Sequence, residues 1–405
     1  MSQFNGKMRK YPQMDSLGLY LSIPFCKSKC TYCNFASGVF PSSYHEQYIA
    51  RLEQDLVSMR DRALRWKAAL PEVIDTVYLG GGTPSILPPH LIHRLFSAIR
   101  REFVVLPNAE ITVECAPGQL EDTTLAAMVE CGVNRISFGV QSFIDSEAKH
   151  TGRLHTREIA LRDIERVRRA GIPHINVDLI AGLPGQTSGS WRESLRVLAD
   201  IGIDHASIYM LEVDEDSRLG REISSGGLRY YAPEVPPDET IAEMYSEAID
   251  FLAANGLAQY EISNFALPGS ESLHNLKYWQ RKPYLGLGLD AHSMLRTPSG
   301  AALRFATIDE LKPFLTSPGR NNPICLSRDE EFEEAWFLGL RLNAGINLSD
   351  LRSEFGAAID AIDPILTDLE CDGLITWTGD QIALTPRGRL VSNEVFERFI
   401  SVPAA

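Results

Sequence analysis

The sequence predicts an α/β fold: a partial (β/α)6 TIM-like barrel followed by a C-terminal winged-helix-like α+β domain. Three observations carry the barrel. Short runs rich in β-branched and aromatic residues alternate six times with helical stretches over about 200 residues. Those runs are apolar on both faces, as strands of a buried parallel sheet are. Polar and glycine-rich residues fall at the carboxyl ends of successive strands and so converge on one mouth. A closed eightfold barrel needs roughly 250 residues, so six units leave an open barrel or a doubly wound sheet. The strand-end residues select the open barrel.

Taken in order, strands are expected at 18–23, 76–80, 110–115, 135–140, 174–180 and 205–212. The first helix should open on a capping box from Ser43 to Glu46, with Tyr48, Leu52, Leu56 and Met59 on its buried face. Further helices fit near 89–102, 119–131, 156–170 and 188–201. Residues 214–240, rich in Gly, Pro and charge, read as a loop near the mouth, followed by a helix near 238–254. The stretch 296–325 reads as a connecting region. From about 326 the pattern is three helices and a hairpin around Thr378-Gly379-Asp380. The expected divisions are a tail (1–17), the barrel (18–240), an extension and connecting region (241–325) and the winged-helix-like domain (326–405).

Composition narrows the function. Lysine and arginine number 39 against 53 acids, a net charge of −14, which argues against a general nucleic-acid binder. The helix in the recognition position of the C-terminal domain carries Asp360, Asp363, Asp368, Glu370 and Asp372 and would repel phosphates. That domain is expected to be a structural or partner-binding module. The N-terminus lacks the apolar core of a signal peptide, and no apolar run is long enough for a transmembrane segment. Seven cysteines, three of them bunched, suggest a reduced, cytoplasmic protein with a metal site.

The bunched cysteines, Cys26, Cys30 and Cys33, form a Cys-x3-Cys-x2-Cys loop just after the first strand. A closed zinc site wants four ligands, usually from two cysteine pairs, and Cys115, Cys131, Cys325 and Cys371 are isolated. Three thiolates can instead hold three irons of a [4Fe–4S] cluster and leave the fourth open to an outside ligand.

With Tyr32 before its last cysteine, this loop resembles that of the radical S-adenosylmethionine (SAM) superfamily. The segments "YLSIPFCKSKCTYCNF", "GGGTPS", "RISFGVQSF", "TGRLH", "VDLIAGLPGQT" and the tail "ALTPRGRLVSNEVFERF" resemble, in order, its oxygen-independent coproporphyrinogen III oxidase-like group. The resemblance implies a [4Fe–4S] cluster on the three cysteines and SAM on its open iron. Tyr20 and the backbone around Tyr32 would contact SAM or the cluster, and Gly81, Gly82 and Thr83 the methionyl amino group. Glu114, Gln141, Arg153 and Asp178 would line the rest of the pocket. The residue chemistry agrees, because glycines let backbone approach a ligand and strand-end carboxylates can hold a ribose or an ammonium.

Two functions compete within this group. The decarboxylating dehydrogenases carry a fourth cysteine where this chain has Phe35, and a longer segment ahead of the cluster. Both features resemble the heme-chaperone, HemW-type branch. That branch's proposed heme motif matches His274, Asn275 and Tyr278, since histidine or tyrosine can ligate heme iron. The alternative for His274 is a structural histidine bonded to a neighbouring segment, and His292 is a second candidate. Ser22 stands where the group has histidine before Pro-Phe-Cys, and Ala181 where an aromatic is common. The leading expectation is therefore a chaperone that binds heme and passes it to an apo-hemoprotein, for example a membrane-associated respiratory protein. No basic amphipathic helix marks a membrane contact. The other reading is an enzyme that uses a 5′-deoxyadenosyl radical on a porphyrinogen.

Overall fold

The computed structural model describes residues 16–317 and 322–400. The expected tail lies outside the described residues as far as residue 15. Six strands follow one another in space as in sequence: β1 (Leu17–Ile23), β2 (Val73–Gly81), β3 (Val104–Cys115), β4 (Arg135–Gln141), β5 (His174–Ala181) and β6 (His205–Met210). All five neighbouring pairs are parallel. A doubly wound sheet would reverse strand order at a switch point. None occurs across β1 to β6, so the chain coils steadily in one sense, as right-handed crossovers require. Burial is nearly continuous along β1 and β4, which explains the two-faced apolar runs.

The extension completes rather than leaves the sheet. On one side β6 pairs antiparallel with β8 (Asn264–Ala266), which pairs with β7 (Ala258–Glu261). On the other, β9 (Tyr284–Gly288) lies parallel to β1 and continues antiparallel into β10 (His292–Arg296), β11 (Ala302–Ala306) and β12 (Ile324–Cys325). The sheet thus has twelve strands and stays open between β7 and β12.

Three expectations need correction. The stretch 296–325 is no mere connector, because it supplies β11, β12 and a helix, Leu311–Thr316. Residues 214–240 hold a helix, Arg218–Ser224, and a 3-10 segment, Arg229–Glu234, in which Tyr230 and Tyr231 take positive φ. The first helix, Ser43–Trp66, has no side-chain cap. Its Glu46 is drawn away to His90 (2.6 Å) and Arg94 (3.0 Å) on the next helix, Pro89–Glu102. Working capping boxes occur at Thr187/Ser190 and Ser327/Glu330 instead. Sequence reading also missed a short helix, Asp145–His150, after β4.

The C-terminal part has its own apolar core, in which Trp336 stacks on Phe399 at 4.8 Å. Its helices surround a three-stranded antiparallel sheet of β13 (Ile346–Asn347), β14 (Ile375–Thr378) and β15 (Gln381–Leu384), with two of them between β13 and β14 and two after β15. The hairpin turns at Gly379, whose φ of 59° suits glycine. Asp363, Asp368, Glu370 and Asp372 are exposed on the recognition-position helix and its end.

Candidate functional site

The loop after β1 is tied down on three sides before any cofactor is considered. Gly82 and Thr83 donate their amides to Ile23 and Phe25 carbonyls (2.9 and 2.8 Å). Thr31 donates to Thr151, and Leu219 donates to Thr31 (3.0 and 2.8 Å). Across the loop itself, Cys26 donates to Gly38, and the Lys29 ammonium caps the carbonyls of Phe35 and Ser37. Residues 214–219 are therefore a strap on the cysteine loop: Asn34 donates to Asp214 (2.6 Å), and Arg218 reaches the Lys29 carbonyl. That partnership gives the strap the helical structure its composition concealed.

Cys26, Cys30 and Cys33 are free, half-buried thiols on the wall of a cavity of about 770 Å³. Burial pushes the Cys26 thiol up, countered by contacts from Thr83 and Ser37. No three His, Cys, Asp or Glu side chains among the described residues converge on a point that would hold a single metal ion. Thiols strung along one loop suit a cluster that offers each its own iron, so the donor set fits [4Fe–4S] and not a closed zinc site. Phe35 is 62% exposed at this cavity, in place of a fourth thiol.

The glycine run packs the chain against itself more than sequence reading allowed. A Cβ on Gly82 would lie 2.7 Å from the Ile23 carbonyl oxygen and 2.8 Å from that of Phe25. Gly80 would meet Glu114, and Gly81 sits at φ 98°. Gly81 donates its amide to Glu114 (3.1 Å), whose other oxygen accepts from Tyr78 (2.9 Å). Burial and the charge of Asp178 push the Glu114 carboxyl up to about 7, against those hydrogen bonds. Burial pushes Asp178 up too, opposed first by the amide of Asn176 at 2.7 Å. Two neighbouring carboxyls, both raised by burial, are poised to receive a cationic or hydroxyl-bearing ligand.

Gln141 ends β4 at φ 70°, an uncommon conformation for a buried non-glycine residue. Arg153 donates to the Tyr32 hydroxyl (3.0 Å), tying the cysteine loop to the far wall. Both side chains lie over Gly139, where a Cβ would approach Arg153 and Gln141 to 3.0 Å. Nothing in the sequence singled out that glycine. Cys26, Cys30, Tyr32, Cys33, Gly81, Gly82, Thr83, Glu114, Gln141, Arg153 and Asp178 thus share one cavity. Tyr20 does not line it. Tyr20 sits deeper in the barrel, paired in register with Tyr78 and with its ring 6.0 Å from that of Tyr78.

His274, Asn275 and Tyr278 lie on a short helix, Leu273–Trp279, that plugs the barrel floor. Its start docks on buried Glu110, which accepts from the His274 amide at 2.9 Å and pairs with Arg135 at 3.1 Å. His274 Nδ1 is 2.8 Å from the Thr76 hydroxyl, and Nε2 is 2.8 Å from that of Tyr278. Thr76 stands five residues before Gly81 on β2, roughly 16 Å from the mouth at strand rise. Burial, then the charge of Lys277, lowers His274 to about 3. In this conformation His274 is a neutral structural histidine with both nitrogens engaged, the alternative its sequence context left open. His292 is exposed on β10 and is not among the residues of the cavity wall.

An open parallel barrel with a three-cysteine loop at its mouth defines a radical SAM protein, and residues 20–222 match the radical SAM superfamily. Residues 326–391 match the HemN C-terminal domain. Heme chaperone HemW of Bacillus subtilis (strain 168) is 34% identical over 389 residues, spanning 94% of this chain and 98% of that protein. Heme chaperone HemW of Escherichia coli (strain K12) is 29% identical over 390 residues, spanning 96% and 99%. The solved structure of coproporphyrinogen III oxidase (HemN) from Escherichia coli, a radical SAM enzyme, aligns with a TM-score of 0.79. It is 25% identical and covers 96% of this chain and 91% of that one. Within the radical SAM superfamily, the chain belongs to the HemW family.

Proposed function

We propose that this protein is a heme chaperone: it binds heme in the cavity at the barrel mouth and passes it to an apo-hemoprotein. The observation that carries the reading is the near-full-length likeness to proteins named heme chaperone, with Phe35 exposed beside the three thiols. Cys26, Cys30 and Cys33 would hold a [4Fe–4S] cluster, and Glu114, Gln141, Arg153 and Asp178 would receive SAM. When bound, that pair supplies an open iron site and, if SAM is cleaved, a 5′-deoxyadenosyl radical. The chain's own residues clamp the loop through residues 214–219 and hold Tyr32 against Arg153. This reading assigns the protein to the cytoplasm, where thiols stay reduced. Among the described residues no helix is long and apolar enough to cross a membrane.

Iron ligation by His274, Asn275 or Tyr278 would require the floor helix to release Thr76 and Glu110. The test is an anaerobic titration of the cluster-reconstituted protein with heme, followed by Soret absorbance, beside His274→Ala. Saturable, near-stoichiometric binding supports the chaperone, and its absence sinks it. A weakened shift in His274→Ala would show that the floor opens to heme.

The likeness to the HemN structure favours a second reading, a radical enzyme acting on a porphyrinogen. That reading predicts substrate-dependent release of 5′-deoxyadenosine.

A further inference from the structure

The cavity has two chemically different walls. The barrel wall carries the carboxylates Glu114, Asp178, Glu212 and Asp214, and its one arginine, Arg153, is bonded to Tyr32. The opposite wall comes from the C-terminal domain and brings two arginines, Arg341 and Arg389. Among the described residues neither makes an ion pair with a carboxylate, and the Nε of each is buried without a hydrogen-bond partner. The Arg341 guanidinium sits over Trp279, its carbon 4.3 Å from the ring centre. Arg389 spends one N–H on the Leu384 carbonyl at 3.0 Å. Both lie near the Tyr245 phenol, whose ionisation they favour. Burial pushes the nearby Glu261 carboxyl up and the Arg341 charge opposes this, while one of its oxygens accepts from Asn264 and the Ser263 amide. Glu394, on the same wall, is exposed.

Half-buried guanidiniums with an unfilled Nε are costly in a chain of net charge −14 that has carboxylates in surplus. Arginine forks match carboxylate geometry with two parallel hydrogen bonds. Ile180, Met210 and Leu211 also line the cavity and add apolar surface for a flat ring. Resting on the chaperone reading, we propose that Arg341 and Arg389 bind the propionate carboxylates of the tetrapyrrole. The ligand is thereby oriented with its acid edge on the C-terminal domain and its ring toward the cluster loop.

The test titrates cluster-reconstituted protein, under anaerobic conditions, with heme and with heme dimethyl ester, whose propionates cannot bear charge. Wild type should bind the ester about a hundredfold more weakly, about tenfold for each of the two charge-assisted pairs lost. Arg341→Gln and Arg389→Gln should each weaken heme about tenfold and leave the ester unchanged. Cluster absorbance and thermal unfolding of each variant report that it has folded. If wild type binds heme and ester alike, or the variants discriminate as wild type does, the arginine assignment is wrong while the chaperone reading stands. If wild type binds neither ligand, both fall together.

Discussion

Replacing Gly82 by alanine tests how the cysteine loop is held. The added Cβ would meet the carbonyl oxygens of Ile23 at 2.7 Å and Phe25 at 2.8 Å, and the Pro24 carbonyl carbon at 2.9 Å. Comfortable contacts are about 3.5 Å, so backbone on both sides must part by several tenths of an ångström. The same carbonyls accept the Gly82 and Thr83 amides, so relief stretches the two bonds that join β1 to the β2 loop. Overpacking costs about 1–3 kcal/mol and each of the two bonds about 1 kcal/mol, for a loss of roughly 3–5 kcal/mol. Because Cys26 follows Phe25 directly, iron content after anaerobic reconstitution should fall along with the melting temperature. Gly189→Ala, whose Cβ would meet only the Thr187 hydroxyl at 3.7 Å, is the control and should be neutral or stabilising. A Gly82→Ala protein with wild-type melting temperature and full iron would refute this reasoning.

Other outcomes follow from the same geometry. Glu114 is raised from 4.5 to about 7, so the folded chain holds a proton that the unfolded chain releases. Its contribution is present below the unfolded value and lost as pH rises through the folded one. Glu114→Gln should therefore flatten the fall in stability between about pH 5 and pH 8, read by urea unfolding of the cluster-free chain. Cys30→Ala should abolish the cluster's visible absorbance yet leave the far-ultraviolet circular dichroism unchanged, because the loop's ties are backbone and lysine bonds. Trp336→Ala removes the stack on Phe399 at the centre of the C-terminal core and should cost about 3–5 kcal/mol, seen by denaturant unfolding.

Much of the barrel was legible because its parallel strands are buried on both faces and their order can be tested against strand-end chemistry. The three-cysteine loop was legible by spacing alone. Long-range contacts were not. The role of His274 depends on Thr76, 198 residues away, and on Glu110, 164 residues away, so the same short motif can sit on a surface or plug a floor. Glu46 looked like a cap because its rivals, His90 and Arg94, stand on another helix. The strands β11 and β12 are too short to show a period, and pairing makes them, β11 with β10 and β12 with β11. Arg389 sits in the tail segment that carried the resemblance and Arg341 in none, and only the fold brings the two together on the cavity wall with the cysteines.

The most direct measurement mixes anaerobic, heme-loaded, cluster-bearing protein with an apo-hemoprotein. It follows the Soret band of the recipient while 5′-deoxyadenosine is assayed in the same vessel with SAM present. The account predicts stoichiometric transfer of heme with no 5′-deoxyadenosine release that depends on a porphyrinogen. Failure to bind or transfer heme, with multiple turnovers of 5′-deoxyadenosine on adding coproporphyrinogen III, would contradict it and make the protein an enzyme.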